Sequence, residues 1–187
     1  MLSIKRITLG VAVTMLSVNA LAQTSKPYFE VGYTMLDVEA SSGSVTLAAS
    51  PTILRFITGT ELTEGLAIEG MYGTSLSGDD ITVNGIDVSS LLSTELKVKN
   101  VFGVYLKPSA KVNENLEIFG RIGYTKANYN ISVAQVGISG SESSASYGFG
   151  ASYLLGKDIS LSTDYMSYVS DGGDTDGITF ALNYQYY

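Results

Sequence analysis

The last ten residues of this 187-residue chain alternate between apolar and mostly small or polar side chains. The apolar positions are Ile178, Phe180, Leu182, Tyr184 and Tyr186. Such a period-two pattern predicts a β-strand with one apolar face. That face needs a covering, because an exposed apolar strand invites aggregation. If the covering is lipid, every backbone hydrogen bond must be made within the sheet, and the sheet has to close into a barrel.

Seven earlier segments repeat this alternation and bring the predicted strands to eight. They cover residues 28–39, 52–61, 66–74, 94–107, 116–128, 144–154 and 159–168, and the eighth covers residues 178–187. Segments of about ten residues match the length that a strand tilted by ~45° needs to cross a bilayer. The predicted fold class is therefore all-β, an eight-stranded antiparallel up-and-down transmembrane β-barrel.

The connections between these segments alternate between short and long. Short turns are predicted at residues 63–65, 113–115 and 156–158, and long polar connections at residues 40–50, 75–92, 129–143 and 169–177. Within the second long connection, Asn84-Gly85 predicts a hairpin that extends the sheet beyond the membrane. This alternation is typical of short periplasmic turns and longer outer loops.

The face opposite the apolar one distinguishes a membrane barrel from a soluble sandwich, in which it would carry scattered solvated charge. Here it is rich in Gly, Ser and Thr and is expected to fill a narrow lumen with a structural network of paired charges. The candidate members of this network are Glu30, Arg55, Glu69, Glu117, Arg121 and Asp164. In the fourth strand, Leu96 and Val98 are assigned to the outward face together with Phe102.

Residues 1–22 have the three parts of a secretory signal peptide. Lys5 and Arg6 form a basic start, an apolar run follows, and Ala20-Leu21-Ala22 is a small-x-small cleavage site. The apolar run is shorter than the roughly 18 to 20 residues that a transmembrane helix needs. We therefore expect a signal peptide at residues 1–22, export through the Sec pathway, and one barrel domain at residues 23–187.

Composition excludes several function classes. Removal of the signal peptide takes away two of the 11 basic residues and none of the 18 acidic ones, leaving nine against 18, a net charge of −9. Nucleic acid is not an expected partner, because phosphate binding needs a basic patch. The absence of cysteine excludes disulfides and thiolate chemistry. Glu30 and Glu69 could in principle act as acid and base, but paired lumen charges are the simpler interpretation, so neither an enzyme activity nor a cofactor is expected.

Several of these segments resemble the eight-stranded outer-membrane barrels of the OmpX and OmpA-domain type, the "porin family" β-barrel domain. They are the signal peptide, residues 28–33, residues 115–124 and the aromatic terminus. The resemblance implies a monomer in the outer membrane of a Gram-negative bacterium, in contact with outer-membrane lipid and lipopolysaccharide. The enzymes that share such barrels, among them lipid A acyltransferases and omptin-like proteases, rely on a histidine, and this chain has none.

The resemblance also implies an assembly signal at the C-terminus that the barrel-insertion machinery recognises. Its candidate residues are Phe180, Leu182, Tyr184, Tyr186 and Tyr187. Family members usually carry an aromatic residue at the last position and another two positions before it, whereas this chain has Gln185 there. Either recognition uses a shifted register, or Tyr187 is a tolerated extra residue.

Three functions remain open from the sequence. The first is a structural or adhesive role in which the outer loops contact a host or cell-surface partner. The second is a narrow channel or small-solute binding barrel, and the third is a secreted soluble β-barrel. Asp174-x-Asp176-Gly177 resembles part of a calcium loop, but the later bidentate Glu is missing, since Asn183 falls near its place. A solvated acidic loop is expected there, with loose bridging of divalent cations as the alternative.

Overall fold

The computed structural model describes residues 26–87, 94–133, 136–170 and 173–186. The predicted signal peptide at residues 1–22 and the terminal Tyr187 lie outside the described residues. The described part of the chain forms these strands: β1 (Pro27–Ser42), β2 (Val45–Ala49), β3 (Thr52–Thr63), β4 (Leu66–Ser77), β5 (Asp79–Asp80), β6 (Thr82–Val83), β7 (Ile86–Asp87), β8 (Thr94–Lys111), β9 (Leu116–Val133), β10 (Val136–Leu154), β11 (Ile159–Ser170) and β12 (Gly173–Gln185). Among these residues, no helix is long and apolar enough to cross a membrane.

Eight of these strands form a closed antiparallel barrel, which confirms the predicted fold class. Their order around the barrel is β1, β3, β4, β8, β9, β10, β11 and β12. The last strand pairs with the first, from Tyr28 opposite Gln185 to Glu39 opposite Asp174. Closure gives each barrel strand two hydrogen-bonded neighbours, which is the condition for a sheet to exist in hydrocarbon.

The outer wall of the barrel carries the apolar side of each strand. Phe149 on β10 is 68% exposed and Leu182 on β12 is 50% exposed. Four adjacent strands place aromatic rings in a row, with centroid separations of 6.1, 6.4 and 5.3 Å, formed by Phe29, Phe56, Tyr72 and Phe102. An apolar surface of this extent indicates that lipid covers the wall.

The two ends of the barrel differ in their connections. Short turns join β3 to β4, β8 to β9 and β10 to β11 at the end where β1 begins and β12 ends, and we call this the inner end. Gly65 completes the first of these turns with a φ of 74°, a conformation that a side chain disfavours. The opposite end, which we call the outer end, holds the longer connections.

At the outer end the structure contains more strand than the sequence predicts. The predicted polar connections were at residues 40–50, 129–143 and 169–177. Instead, β1 and β2 remain paired as far as Ser42 and Val45, and β9 and β10 as far as Val133 and Val136. The β11–β12 pairing likewise continues to the ends of both strands. Backbone pairing therefore persists beyond the point where the apolar alternation stops.

Asn84 and Gly85 form the tight turn between β6 and β7, as the sequence predicts. Their φ angles of 50° and 76° are both positive, as a type I′ turn requires. The Asn84 side-chain oxygen accepts a hydrogen bond of 2.8 Å from the backbone nitrogen of Thr46. β6 also pairs with β2, so this hairpin folds against the β1–β2 hairpin at the outer end.

The predicted face of Leu96 and Val98 is wrong. The β8–β9 register shifts between Val98 and Asn100, so one extra residue bulges there. Such a bulge moves the side chains before it to the opposite face of the strand. Val98 is accordingly buried in the lumen, whereas Phe102, beyond the bulge, faces outward as predicted.

Candidate functional site

Five charged side chains meet inside the barrel, each from a different strand. We call this group the charge layer, and its members are Glu30 of β1, Arg55 of β3, Glu69 of β4, Arg121 of β9 and Asp164 of β11. None of the five is more than 3% exposed. Alternation along each strand aims these side chains at the same narrow space, because the neighbouring residues point outward.

Arg121 bonds to all three carboxylates of the charge layer. Its Nε donates to Glu69 Oε2 at 2.6 Å, its Nη1 to Asp164 Oδ2 at 2.7 Å, and its Nη2 to Glu30 Oε2 at 2.9 Å. The guanidinium carbon also lies 4.7 Å from the centroid of the Phe119 ring. Arg121 therefore joins β9 to β1, β4 and β11 across the lumen.

Arg55 completes the layer from the other side. Its Nη1 donates to Asp164 Oδ1 at 2.9 Å and its Nη2 to Glu30 Oε1 at 2.7 Å. Tyr28 donates its hydroxyl to Glu69 Oε1 at 2.6 Å. Two guanidinium groups and one phenol thus satisfy three buried carboxylates, which is the condition for tolerating charge in a dry interior.

Glu117 does not join the charge layer, although the sequence groups it with the other five. Its Oε1 lies 3.6 Å from Lys107 Nζ, and the two side chains are 29% and 12% exposed. Glu117 is on the inward face of β9 but lies four residues before Arg121, a distance of roughly 13 Å along a strand. The period-two pattern gives the face of a side chain but not its depth in the lumen.

Glycines beside the charge layer leave room for its side chains. Gly148 lies opposite Arg121 in the register, and Gly150 lies opposite Asp164. A β-carbon at residue 150 would lie 2.5 Å from the Phe119 ring and 2.7 Å from the β-carbon of Asp164. The glycines on the inward face therefore leave room for the large side chains of the lumen, aromatic rings as well as charged groups.

Hydroxyl groups form a second buried network on the outer side of the charge layer. Tyr105 Oη lies 2.6 Å from Thr125 Oγ1, which lies 2.7 Å from Ser146 Oγ. Ser146 in turn donates to Tyr105 Oη at 3.0 Å. The three hydroxyls thus bond to one another and link β8, β9 and β10.

The lumen also contains a large apolar cluster, although the sequence predicts an interior of small and polar residues with paired charges. This cluster lies mostly on the outer side of the charge layer and consists of Leu36, Ile53, Ile57, Met71, Val98, Val101, Tyr105, Met166 and Tyr168. Ile53, Met71 and Met166 occupy inward positions of β3, β4 and β11 in the sequence, so their burial in the lumen could have been predicted from the alternation. The burial of Val98 could not have been predicted in this way, because it depends on the bulge in β8.

Beyond the apolar cluster, a cavity of about 360 Å³ lies at the outer end of the lumen. We call it the outer cavity. Ile53, Val101 and Tyr168 line it from the side of the apolar cluster, and Leu47 and Ile131 line it from the outer hairpins. It lies between the packed lumen and the hairpins of the outer end.

The predicted assembly residues Phe180, Leu182, Tyr184 and Tyr186 all face outward along the end of the chain. The backbone nitrogen of Tyr186 donates to the oxygen of Pro27 at 3.1 Å, so the closing pair continues past the last residue of β12. Recognition of these residues by the insertion machinery stays a prediction.

The predicted acidic loop is partly strand. Asp174 and Asp176 belong to β12, opposite Glu39 and Asp37 of β1. Asp171 and Gly172 lie outside the described residues. Within the described ranges, no group of three acidic, histidine or cysteine side chains is arranged to hold a metal ion.

A closed barrel with an apolar outer wall and a lumen filled by paired charges defines the class of outer-membrane β-barrel proteins. The sequence comparisons agree with this class. Residues 8–186 match the model of the outer membrane protein beta-barrel domain, and the chain belongs to this family. A search of curated protein sequences finds no match. Its family places the protein in the bacterial outer membrane, which confirms the predicted localisation and excludes the secreted soluble barrel.

Solved structures share the fold at low sequence identity. Neisserial surface protein A (NspA) is 10% identical, with a TM-score of 0.66, over 88% of this chain and 100% of that chain. Ail, the attachment invasion locus protein of Yersinia pestis, is 15% identical, with a TM-score of 0.61, over 87% and 99%. OprG of Pseudomonas aeruginosa is 11% identical, with a TM-score of 0.61, over 87% and 96%. At these identities the likeness establishes the fold alone.

Proposed function

We propose that the protein is a non-enzymatic outer-membrane barrel with a sealed lumen, which uses its outer hairpins to contact a host or cell-surface partner. The charge layer is the main observation that supports a sealed lumen. Its side chains bond across the barrel from five of the eight strands, and the apolar cluster fills the space beside them. Eight strands leave room only for side chains, which supports the proposal that no continuous water path crosses the lumen.

The lengths of the strands support the contact role. β9 has 18 residues and β10 has 19, whereas a tilted strand crosses the bilayer with about 9 to 11. The excess pairs lie in regular hairpins, which give a stiffer surface than a loop without backbone hydrogen bonds. Extended outer hairpins on a sealed barrel suit a protein whose specific contacts are made outside the membrane.

The charge of the outer end indicates which partner it suits. Ail has been solved in complex with the heparin analogue sucrose octasulfate, a polyanion. In the present chain, Asp37 and Glu39 lie directly across from Asp176 and Asp174. Because four carboxylates occupy one stretch of the β1–β12 pair, we propose a neutral or cationic partner surface rather than a polyanion.

We also propose that residues 1–22 direct export and are removed, and that the barrel is monomeric in outer-membrane lipid and lipopolysaccharide. The outward aromatic side chains at the C-terminus support recognition by the insertion machinery. Deletion of residues 186–187 should slow membrane insertion in cells, measured by the fraction of heat-modifiable barrel on gels. An unchanged rate of insertion would exclude these residues from the signal.

Conductance tests the sealed lumen. Purified protein inserted in planar bilayers is expected to give no steady openings, with insertion verified by a shift in gel migration between unboiled and boiled samples. A pore-forming barrel in the same lipid serves as the positive control. Steady, reproducible openings from the folded protein would establish the channel alternative instead.

Surface binding tests the contact role. Cells that display the protein should bind a host matrix or a second bacterium, and replacement of residues 81–87 by a short glycine-serine linker should reduce this binding. The matched control replaces residues 113–115 at the inner end, which faces away from the cell exterior. Equal binding by cells with and without the protein would contradict the proposal, whatever the effect of the replacements.

A further inference from the structure

The outer cavity has the size of a ligand site. The proposed surface contact does not account for it. Its volume of about 360 Å³ falls in the range of small-molecule sites in proteins, which starts at roughly 300 Å³. A cavity of about 150 Å³ lined by aliphatic side chains is sufficient to bind benzene. The outer cavity therefore has room for a molecule of about two fused rings or a chain of roughly ten carbons.

The lining of the outer cavity is mainly aliphatic. β1, β2, β3, β8 and β9 contribute the side chains of Leu36, Val38, Leu47, Ile53, Leu96, Val98, Val101 and Ile131. Two of them, Leu96 and Val98, face inward because of the bulge in β8. The bulge thus takes apolar surface from the lipid side and adds it to the wall of the cavity.

One residue of this lining, Tyr168, carries an unpartnered polar group. The hydroxyl of Tyr168 is buried and has no hydrogen-bond partner among the described residues. A buried hydroxyl without a partner is unfavourable, so a ligand with one acceptor or donor atom would gain by bonding to it. Thr125 also lines the cavity, but its hydroxyl is already bonded to Tyr105 and Ser146.

The charges around the cavity restrict the ligand further. Glu142, on the inward face of β10, lines the cavity, and the described part of the lining contains no lysine or arginine. An anionic group would therefore meet like charge without a cationic partner. This arrangement argues against fatty-acid anions and phosphate-bearing lipids.

The outer cavity is also closed towards the inner end. Ile53 lies between the cavity and Arg55 along β3, and Met166 lies between Tyr168 and Asp164 along β11. Ile53 and Met166 are each 1% exposed and belong to the apolar cluster. A molecule that enters from the outer end thus reaches packed side chains and the charge layer, so the cavity is suited to binding rather than passage.

We propose that the outer cavity binds one uncharged apolar molecule of about ten to twelve heavy atoms that carries a single hydrogen-bonding group. The apolar part contacts the aliphatic lining, and the hydrogen-bonding group lies against the hydroxyl of Tyr168. This site is independent of the surface contact proposed above, since it lies within the lumen.

The test uses 1-naphthol as the probe and the protein in lipid nanodiscs with labelled isoleucine δ1-methyl groups. Ile53, Ile81 and Ile131 line the cavity, whereas Ile122 and Ile178 face the lipid. Binding should shift the NMR signals of the first three in a saturable way. The two lipid-facing residues report partition of the probe into the bilayer and should respond without saturation. The absence of saturable shifts at the cavity residues would overturn the proposal.

Two cavity-filling variants and one control variant locate the site. Ala127 lines the cavity, and Ala127→Phe should abolish the saturable shifts by filling it. Ala145 is exposed on the outer wall, so Ala145→Phe adds the same group elsewhere and should leave binding unchanged. Ala49→Phe on β2, at a buried residue of the lining, is a second filling variant for use if Ala127→Phe does not fold. Retention of binding in a folded filling variant would place the probe outside the outer cavity and overturn the proposal.

Two further measurements test the ligand class. Tyr168→Phe should weaken 1-naphthol about fivefold and leave naphthalene unchanged, as expected for the loss of one hydrogen bond. The anion 1-naphthoate should bind wild-type protein at least about tenfold more weakly than 1-naphthol. Equal binding of 1-naphthoate would overturn the uncharged class, and an unchanged affinity of Tyr168→Phe for 1-naphthol would overturn the role of the hydroxyl.

Discussion

The charge layer and the outer cavity fill two parts of one lumen in opposite ways. The charge layer places five charged side chains in contact, with donor–acceptor distances mostly between 2.6 and 2.9 Å. The outer part is lined by aliphatic side chains and leaves about 360 Å³ unfilled. Buried charges must meet in an accurate geometry to be tolerated, whereas apolar groups impose no such requirement. The lumen is therefore filled where the charged side chains meet, and it leaves open space where aliphatic side chains line its outer end.

Removal of one of the two buried arginines is expected to have the largest effect on stability. Arg121→Leu leaves three buried carboxylates with Arg55 as the single remaining guanidinium. The free energy of unfolding should fall by about 3 to 5 kcal/mol, the usual cost of breaking a buried ion pair. Urea unfolding in lipid vesicles measures it, with the exposed Lys97→Leu as the control. If both variants unfold at the wild-type urea concentration, the charge layer does not hold the barrel together.

A charge on the opposite face should also be costly, for a different reason. Phe149→Arg places a guanidinium on the lipid-facing wall, where it has no carboxylate partner. A loss of about 2 to 4 kcal/mol is expected if the site is near the bilayer midplane, and Leu182→Arg should behave in the same way. The matched control is Phe149→Leu. Folding yields in vesicles that do not distinguish Arg from Leu at this position would mean that the assigned outer wall does not face lipid.

Substitution of the two isoleucines beside Arg55 allows a direct comparison of packing in the two parts of the lumen. Ile57 lies on its inner side among packed residues, and Ile53 lies on its outer side at the cavity. Ile57→Ala should lower the free energy of unfolding by about 3 kcal/mol and Ile53→Ala by about 2 kcal/mol, because Ile53 already borders an open space. Parallel urea titrations provide the comparison. A larger loss at Ile53 would show that the outer part is packed as tightly as the inner part.

The smallest effect is expected at the pair between Lys107 and Glu117. This pair is partly exposed near the inner end, so Lys107→Met should lower the free energy of unfolding by about 0.5 to 1 kcal/mol. The difference from wild type should shrink at 1 M salt, where the Debye length is about 3 Å. The effect of Arg121→Leu should persist at the same salt concentration. Equal salt sensitivity of the two variants would remove the distinction between the buried and the exposed charges.

The residues of the outer wall and of the charge layer were largely predicted from the sequence. A side chain in a paired strand has only two directions, so period-two alternation assigned Phe102 and Leu182 to the wall and Arg55 and Asp164 to the lumen. Depth along the barrel is a separate quantity, and the pattern does not contain it. Glu117 was therefore grouped with residues that it does not contact.

The outer cavity was not accessible in this way. A single extra residue near Lys99 reversed the faces of Leu96 and Val98, and no local sequence feature marked it. The outer extensions of the β1–β2 and β9–β10 pairs were also missed, because these polar segments are held by backbone pairing and show no apolar alternation. Both errors concern the outer end, where an element's neighbours rather than its own residues decide its structure.

The charge layer joins parts of the chain that are far apart in sequence. Arg55 and Asp164 are 109 positions apart, and Glu30 and Arg121 are 91 positions apart. A strand that paired one residue out of step would turn its ionic group outward into hydrocarbon. The charge layer is therefore complete only when the last strands have paired. A misaligned barrel is unstable, because a charged side chain then lies in hydrocarbon.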